Sequence, residues 1–175
     1  MGLKPSVRAV NRPYSGLKVE RFVVLKIDII SITRLKKGAY LELIENYKKR
    51  IQWNLNIYEL ESKHSDPKKS QKDEEEKILK HIDNQAVVIA LDERGDGLKS
   101  LDFAKTLENF KNNGENYIQF IVGGADGLTP EVRNRADVLL SFGQQTWPHL
   151  LARVMLLEQI YRAQQILSGH PYHRE

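Results

Sequence analysis

Between Phe22 and Leu167 the chain alternates short β-branched runs with stretches whose apolar residues return every three or four positions. Phe22 to Ile32 (FVVLKIDIISI) has the β-branched content and partial alternation of a first strand. Tyr40, Leu43, Ile44, Tyr47 and Ile51 follow at helical spacing, and Lys48, Lys49 and Arg50 fall mostly off that apolar face. Leu55 to Leu60 reads as a second strand. Glu61 to Glu76, with its Asp-Pro-Lys-Lys and Asp-Glu-Glu-Glu clusters, reads as a solvated loop leading into a short helix that carries Ile78, Leu79 and Ile82. Ala86 to Leu91 is a continuous apolar run, as a strand covered on both faces requires, and Asp92-Glu93-Arg94-Gly95 predicts a loop after it.

The second half repeats the alternation. Ser100 is placed to cap a helix bearing Ala104, Leu107 and Phe110, ending at Gly114. Tyr117 to Val122 is a strand, and Thr129-Pro130 is a cap followed by proline at the first helical position, opening a short helix toward Ala136. Val138 to Phe142 is the last strand, and Leu150 to Leu167 a long helix. Strands alternating with helices predict a three-layer α/β sandwich with a mostly parallel sheet, in one domain spanning residues 22–175. Ligands of such sheets lie beyond the carboxyl ends of the strands, which draws attention to the loops after Leu91, Val122 and Phe142.

Composition narrows the chemistry. No apolar run reaches transmembrane length. With Cys 0, disulfides and thiolate metal sites are excluded, and the five histidines show no zinc-ligand spacing, so no metal is expected. Chemistry must then use histidine, carboxylates, hydroxyls or a borrowed cofactor. A net charge of +4 fits an RNA partner and a solvated mixed surface about equally. Residues 1–21 are basic, with Glu20 as their one acid, and lack any strand or helix period. They read as a flexible extension outside the fold, although an organelle transit peptide has the same composition.

Three segments carry candidate chemistry. Glycines 123, 124 and 127 permit close backbone approach to a ligand, but the loop lacks the P-loop lysine and the dinucleotide G-x-G-x-x-G spacing; a ligand-free tight turn fits as well. Thr146-Trp147-Pro148-His149 joins a strand to a helix, and His149 serves there either as a helix-start residue or as an acid or base at a ligand mouth. The tail His170-Pro171-Tyr172-His173-Arg174-Glu175 supplies a stacking ring, two groups that titrate near neutrality and a guanidinium, the side chains that hold an unstacked RNA base.

These segments together, with Ile121-Val122 before the glycines, Arg153 and Glu158-Gln159-Ile160-Tyr161-Arg162-Ala163, resemble the large-subunit rRNA pseudouridine N3-methyltransferase family (RlmH) of the SPOUT class. The resemblance is strong from Ala86 onward and looser from Val23 to Ile82; residues 1–21 have no counterpart. It implies a C-terminal deep trefoil knot holding S-adenosyl-L-methionine, with contacts at Leu91, Gly124 and along Gly143, Gln144, Gln145, Thr146, Trp147 and Pro148. It also implies a cytoplasmic homodimer acting on large-subunit ribosomal RNA or the assembled ribosome, its site completed across the interface. His149 or His173 would be the general base, Tyr172 would stack on the target base, and Arg153 or Arg174 would bind phosphate. Leu151, Val154, Leu157 and Ile160 are the expected dimer surface. Two other readings stay open: a methyltransferase of the same fold acting elsewhere on rRNA or on tRNA, and a catalytically silent RNA-binding module of the ribosome.

Overall fold

In the computed structural model, which describes residues 24–174, the alternating run becomes β1 (Lys26–Ile32). Ile27 and Ile29 enter one core and Ile30 and Ile32 another, so the sheet is covered on both faces. Phe22, Val23, Glu175 and the basic extension lie outside the described residues. The strands β1, β2 (Asn54–Leu60), β4 (Tyr117–Val122), β3 (Val87–Gly97) and β5 (Val138–Ser141) are all parallel, in the order β2-β1-β4-β3-β5. β3 and β4 repeat the two-faced pattern: Ile89, Ile118 and Phe120 face the first core, Val88, Ala90 and Ile121 the second.

The first core is closed by α1 (Ala39–Arg50), α3 (Ser100–Asn112) and α5 (His149–Leu167), through Ile44, Phe103, Leu107, Leu156, Leu157 and Ile160. The second is closed by α2 (Pro67–His81) and α4 (Pro130–Arg135), through Ile78 and Val132. Each such buried side chain contributes about 1.5–3 kcal/mol. The three-layer sandwich with a parallel sheet is therefore as the sequence implied.

Four local expectations are corrected. Much of the charged stretch is helix: α2 starts at Pro67, with the Asp66 carboxylate accepting the Lys69 N–H at 2.9 Å. The cap of α3 is Lys99, with no side-chain cap bond, while the Ser100 hydroxyl donates to Gln159 Oε1 at 2.9 Å. β3 does not end at Leu91 but runs to Gly97 through an irregularity in which Leu140 of β5 pairs first with Leu91 and again with Asp96. Glycine is needed there, because a Cβ on Gly95 would sit 2.6 Å from the backbone carbon of Leu139. Finally, Val154, Leu157 and Ile160 are buried in their own chain's core and offer no surface to a partner; Leu151 and Met155 are left half-exposed on α5.

Candidate functional site

Parallel strands deliver their following loops to one edge of the sheet, and the loops after β4 and β5 meet the irregular end of β3 there. They enclose a cavity of ≈ 750 Å³, within the range of small-molecule and cofactor sites. Its apolar floor is Leu91, Val122, Leu140 and Phe142; the glycine loop forms one wall and Gly143 to His149 another. Leu91, Gly124, Gly143, Gln145, Thr146, Trp147, Pro148 and His149 all line it. Gln144, which follows the turn at Gly143 with its φ of 117°, does not.

The wall after β5 has hydrogen-bonding capacity to offer. Ser141 Oγ accepts the Gly143 N–H at 3.1 Å and the Trp147 indole donates to the Phe142 carbonyl at 3.3 Å, which fold the segment back on itself. Among the described residues, no backbone carbonyl pairs with the N–H groups of Gln144, Gln145, Thr146 or Trp147. Gly124 contributes backbone, but its missing side chain faces away from the cavity. A Cβ there would lie 3.0 Å from Ile32 Cγ2 of β1 and 2.9 Å from Glu74 Oε2 of α2, so its closest neighbours are side chains of those elements. Gln71 of α2 donates to the Asp126 carbonyl at 3.0 Å and joins the lining. Charges of both signs stand around the cavity: Glu93, Arg94 and Asp126 are exposed, and Asp92 pairs with Arg133 at 3.4 Å.

His149 is the first residue of α5 and half-buried in this cavity. Burial first, and the charge of Arg153 one turn on, hold its imidazole below the ordinary value of 6.5. It is thus a neutral ring at neutral pH, able to accept a proton. Arg153 occupies a different place from the one expected. Its side chain is 1% exposed, donating to Glu59 Oε1 at 2.6 Å and to the Thr33 carbonyl at 2.7 Å, with Nε left unpartnered among the described residues. A guanidinium enclosed in this way is not presented to a phosphate; it ties α5 to the ends of β1 and β2.

The tail lies elsewhere. α5 stops at Leu167; two residues on, Gly169 with its φ of 70° reverses the chain, and the His170 N–H donates to the Gln165 carbonyl at 2.9 Å. Tyr172 then packs back on α5: its ring meets Tyr161 edge-on at 4.9 Å between centroids, Arg162 lies 4.9 Å over its face, and its hydroxyl reaches Glu158 Oε1 at 3.2 Å. Burial and then Glu158 raise the phenol's pKa. His173 Nδ1 lies 3.2 Å from Arg162 Nη1. Because a guanidinium only donates, Nδ1 is the acceptor and the ring proton sits on Nε2. Arg174 is exposed. None of Tyr172, His173 and Arg174 lines the cavity, which His149 does from a point nine residues before Glu158, roughly 13 Å along the helix. Glu158 and Arg162, which no sequence argument singled out for a role, hold the tail; their i,i+4 spacing was the available signal.

The chain is similar to known proteins over nearly all its described length. A family described as predicted SPOUT methyltransferase matches residues 25–173. A relative from Rhodospirillum centenum, named ribosomal RNA large subunit methyltransferase H, is 44% identical over 151 residues, covering 86% of this chain and 99% of its own. One of the same name from Bradyrhizobium diazoefficiens is 41% identical over 159 residues, with the same coverage. Among solved structures, a probable methylase family protein from Haemophilus influenzae shares the fold with a TM-score of 0.53 at 14% identity, over 86% of this chain and 71% of that one.

Proposed function

The chain belongs to the SPOUT methyltransferase family, and on that footing we propose that it methylates large-subunit ribosomal RNA with S-adenosyl-L-methionine, at ring nitrogen N3 of a pseudouridine. The observation that carries the reading is the cavity itself, built by the three strand ends on which the family resemblance places the cofactor. Its residues fit that ligand. Leu91, Leu140 and Phe142 suit an aromatic base, the N–H groups from Gln145 to Trp147, which no backbone carbonyl of the described residues engages, suit its ring nitrogens, and Glu93 and Asp126 suit a cation nearby. When bound, the cofactor supplies a methyl group activated on a sulfonium.

The rest of the work falls to the chain's own side chains. Attack by a ring nitrogen requires loss of its proton, and His149 has both the free lone pair and the placement to take it. His173 has its Nδ1 lone pair engaged by Arg162, which makes it the weaker candidate. Tyr172 and Arg174 serve the RNA, by stacking and by phosphate binding. Because the tail and the cavity are apart in one chain, the active form is a homodimer in which the tail of one protomer completes the cavity of its partner. Leu98, Trp147, Leu151 and Met155 are the apolar side chains left open for that interface.

The trefoil knot is what the family resemblance implies for the C-terminal part of this sheet, where the extended end of β3 packs closely on β5. We read residues 1–21 as an extension preceding the catalytic domain, and the enzyme as cytoplasmic, where ribosomes are modified, with no metal in the reaction. The test uses ribosomes from cells lacking this gene, incubated with the protein and methyl-labelled adenosylmethionine. One methyl mapping by mass spectrometry to a large-subunit pseudouridine is expected; transfer to another nucleotide, or none, overturns the reading.

A further inference from the structure

Arg34, Lys36 and Lys37 in the loop between β1 and α1 are all exposed, and so are Lys68 and Lys69 in the first turn of α2. Both segments leave the carboxyl edge of the sheet, the edge on which the cavity opens. Their roots are joined. The Thr33 N–H donates to the Leu60 carbonyl at 2.8 Å and the Leu35 N–H to Glu59 Oε1 at 3.2 Å, while Arg153 grips the Thr33 carbonyl from below. Thr33 is held at φ 90°, a conformation a β-branched residue keeps only where its surroundings over-determine it. The basic loop therefore springs from a fixed base. On the other side, Gln71 bonds to the glycine loop and lines the cavity, and Lys68 lies one turn earlier on the same helix face.

The charges in these two segments lack local counter-ions. Among the described residues, none of the five makes a salt bridge, whereas Lys48, Lys77 and Arg162 each pair with a carboxylate three or four residues away. Of the acids close by, Asp66 caps α2, Asp73 pairs with Lys77 and Glu59 with Arg153. Lys68 and Lys69 also stand against the helix field. The first turn of α2 has no acidic residue, and cations there face the positive end of the helix, while α1 and α4 keep their basic residues in the last turn, where the field favours them. Two neighbouring positive clusters beside a cavity, both on its β1–β2 side, are a surface for a polyanion.

We propose that the Arg34–Lys37 loop and the first turn of α2 form a phosphate-binding rim that docks the RNA backbone beside the nucleotide in the cavity. This rests on the reading of the chain as an rRNA methyltransferase and deepens it by naming the docking surface. Phosphate contacts fix register and orientation without reading sequence, so the rim positions and the cavity selects.

Two variants test it, R34A/K36A/K37A and K68A/K69A, with K105A/K111A on α3 as a control that removes exposed charge elsewhere. Binding to large ribosomal subunits from cells lacking the gene, and to naked large-subunit rRNA, is measured across a salt series, together with KM, kcat and adenosylmethionine affinity. Each rim variant is expected to weaken binding by about tenfold or more and to flatten the salt dependence by about one unit of slope per lysine or arginine removed, with kcat and cofactor affinity retained. The control should bind within about twofold of the unmodified protein. Wild-type affinity and slope in both rim variants overturns the rim, as does a loss confined to kcat. Weakened binding to subunits with unchanged binding to naked rRNA also overturns it, and would point to a ribosomal protein instead. If the unmodified protein binds subunits without transferring a methyl, the enzymatic reading fails while the salt slopes still decide the rim.

Discussion

At its amino end α5 presents His149 to a cavity built by three neighbouring strand ends; at its carboxyl end the chain reverses at Gly169 and clamps Tyr172 against Glu158, Tyr161 and Arg162. The first region is preorganised by backbone: a bulged strand, a glycine loop and a turn whose N–H groups meet no backbone carbonyl among the described residues. The second is held by side chains, through a salt bridge, an edge-on ring pair and a cation over a ring. A site made of backbone suits a ligand that must be gripped in one pose. The tail is held by part-buried side-chain contacts and adds nothing to the cavity of its own chain; in the dimer proposed above it serves the neighbouring one.

Removing the tail is the harshest way to separate these regions. Deleting residues 172–175 should leave adenosylmethionine affinity within about threefold by calorimetry, since the strand-end loops line the cavity and the tail is assigned to the RNA. Methyl transfer to ribosomes should fall by about a hundredfold or more, because alignment and phosphate binding go together. A truncated enzyme that works at the normal rate would make the cavity end sufficient and the comparison empty.

Arg153→Ala attacks the other region at its root. Breaking a buried ion pair by removing one partner costs about 3–5 kcal/mol, and the partial exposure of Glu59 puts this one at the low end, about 3 kcal/mol. Denaturant unfolding measures it. A loss under about 1 kcal/mol would mean that Arg153 is free to face RNA after all, as the sequence had suggested.

Glycines sharpen the same contrast. At Gly95 a Cβ meets the backbone of Leu139 and Leu140, which cannot give way, so Gly95→Ala should destabilise the fold by about 1–3 kcal/mol and weaken cofactor binding through displacement of β5. At Gly124 the nearest atom is the tip of the Glu74 side chain, which can move, and Gly124→Ala should cost about 1 kcal/mol or less. Equal effects at the two positions would show that the end of β3 is not packed against β5 as described.

How far the sequence reached follows the range of the interactions. The two-faced strands, the Thr129-Pro130 start of α4 and the glycine loop are written in neighbouring residues, and all were legible. Asp66-Pro67 uses the same cap-and-proline grammar as Thr129-Pro130, but the lysines and glutamates around it masked the helix. The extension of β3 depends on β5, about forty residues later, and the burial of Arg153 on Glu59, 94 residues earlier. Val154, Leu157 and Ile160 read as apolar surface because nothing local says which side of α5 meets the sheet.

The finest test concerns the titration of His149. Its imidazole is held below 6.5 by burial first and by Arg153 second, so its neutral form persists as the pH falls past 6.5. If it is the general base, the acid limb of kcat/KM lies below 6.5, and His149→Asn removes that limb along with most of the rate. The same depression acts on stability with a definite sign. Below 6.5 the unfolded chain takes up the proton before the folded one does, so stability declines as pH falls through that window and is constant above it. Arg153→Gln, studied under conditions where it stays folded, removes the charge but leaves the burial. The limb should therefore move upward only part of the way to 6.5, and Arg153→Lys should move it less. A limb that stays where it was in His149→Asn would assign it to another group, and the base would then be sought in the tail, at His173 with its bond to Arg162 broken.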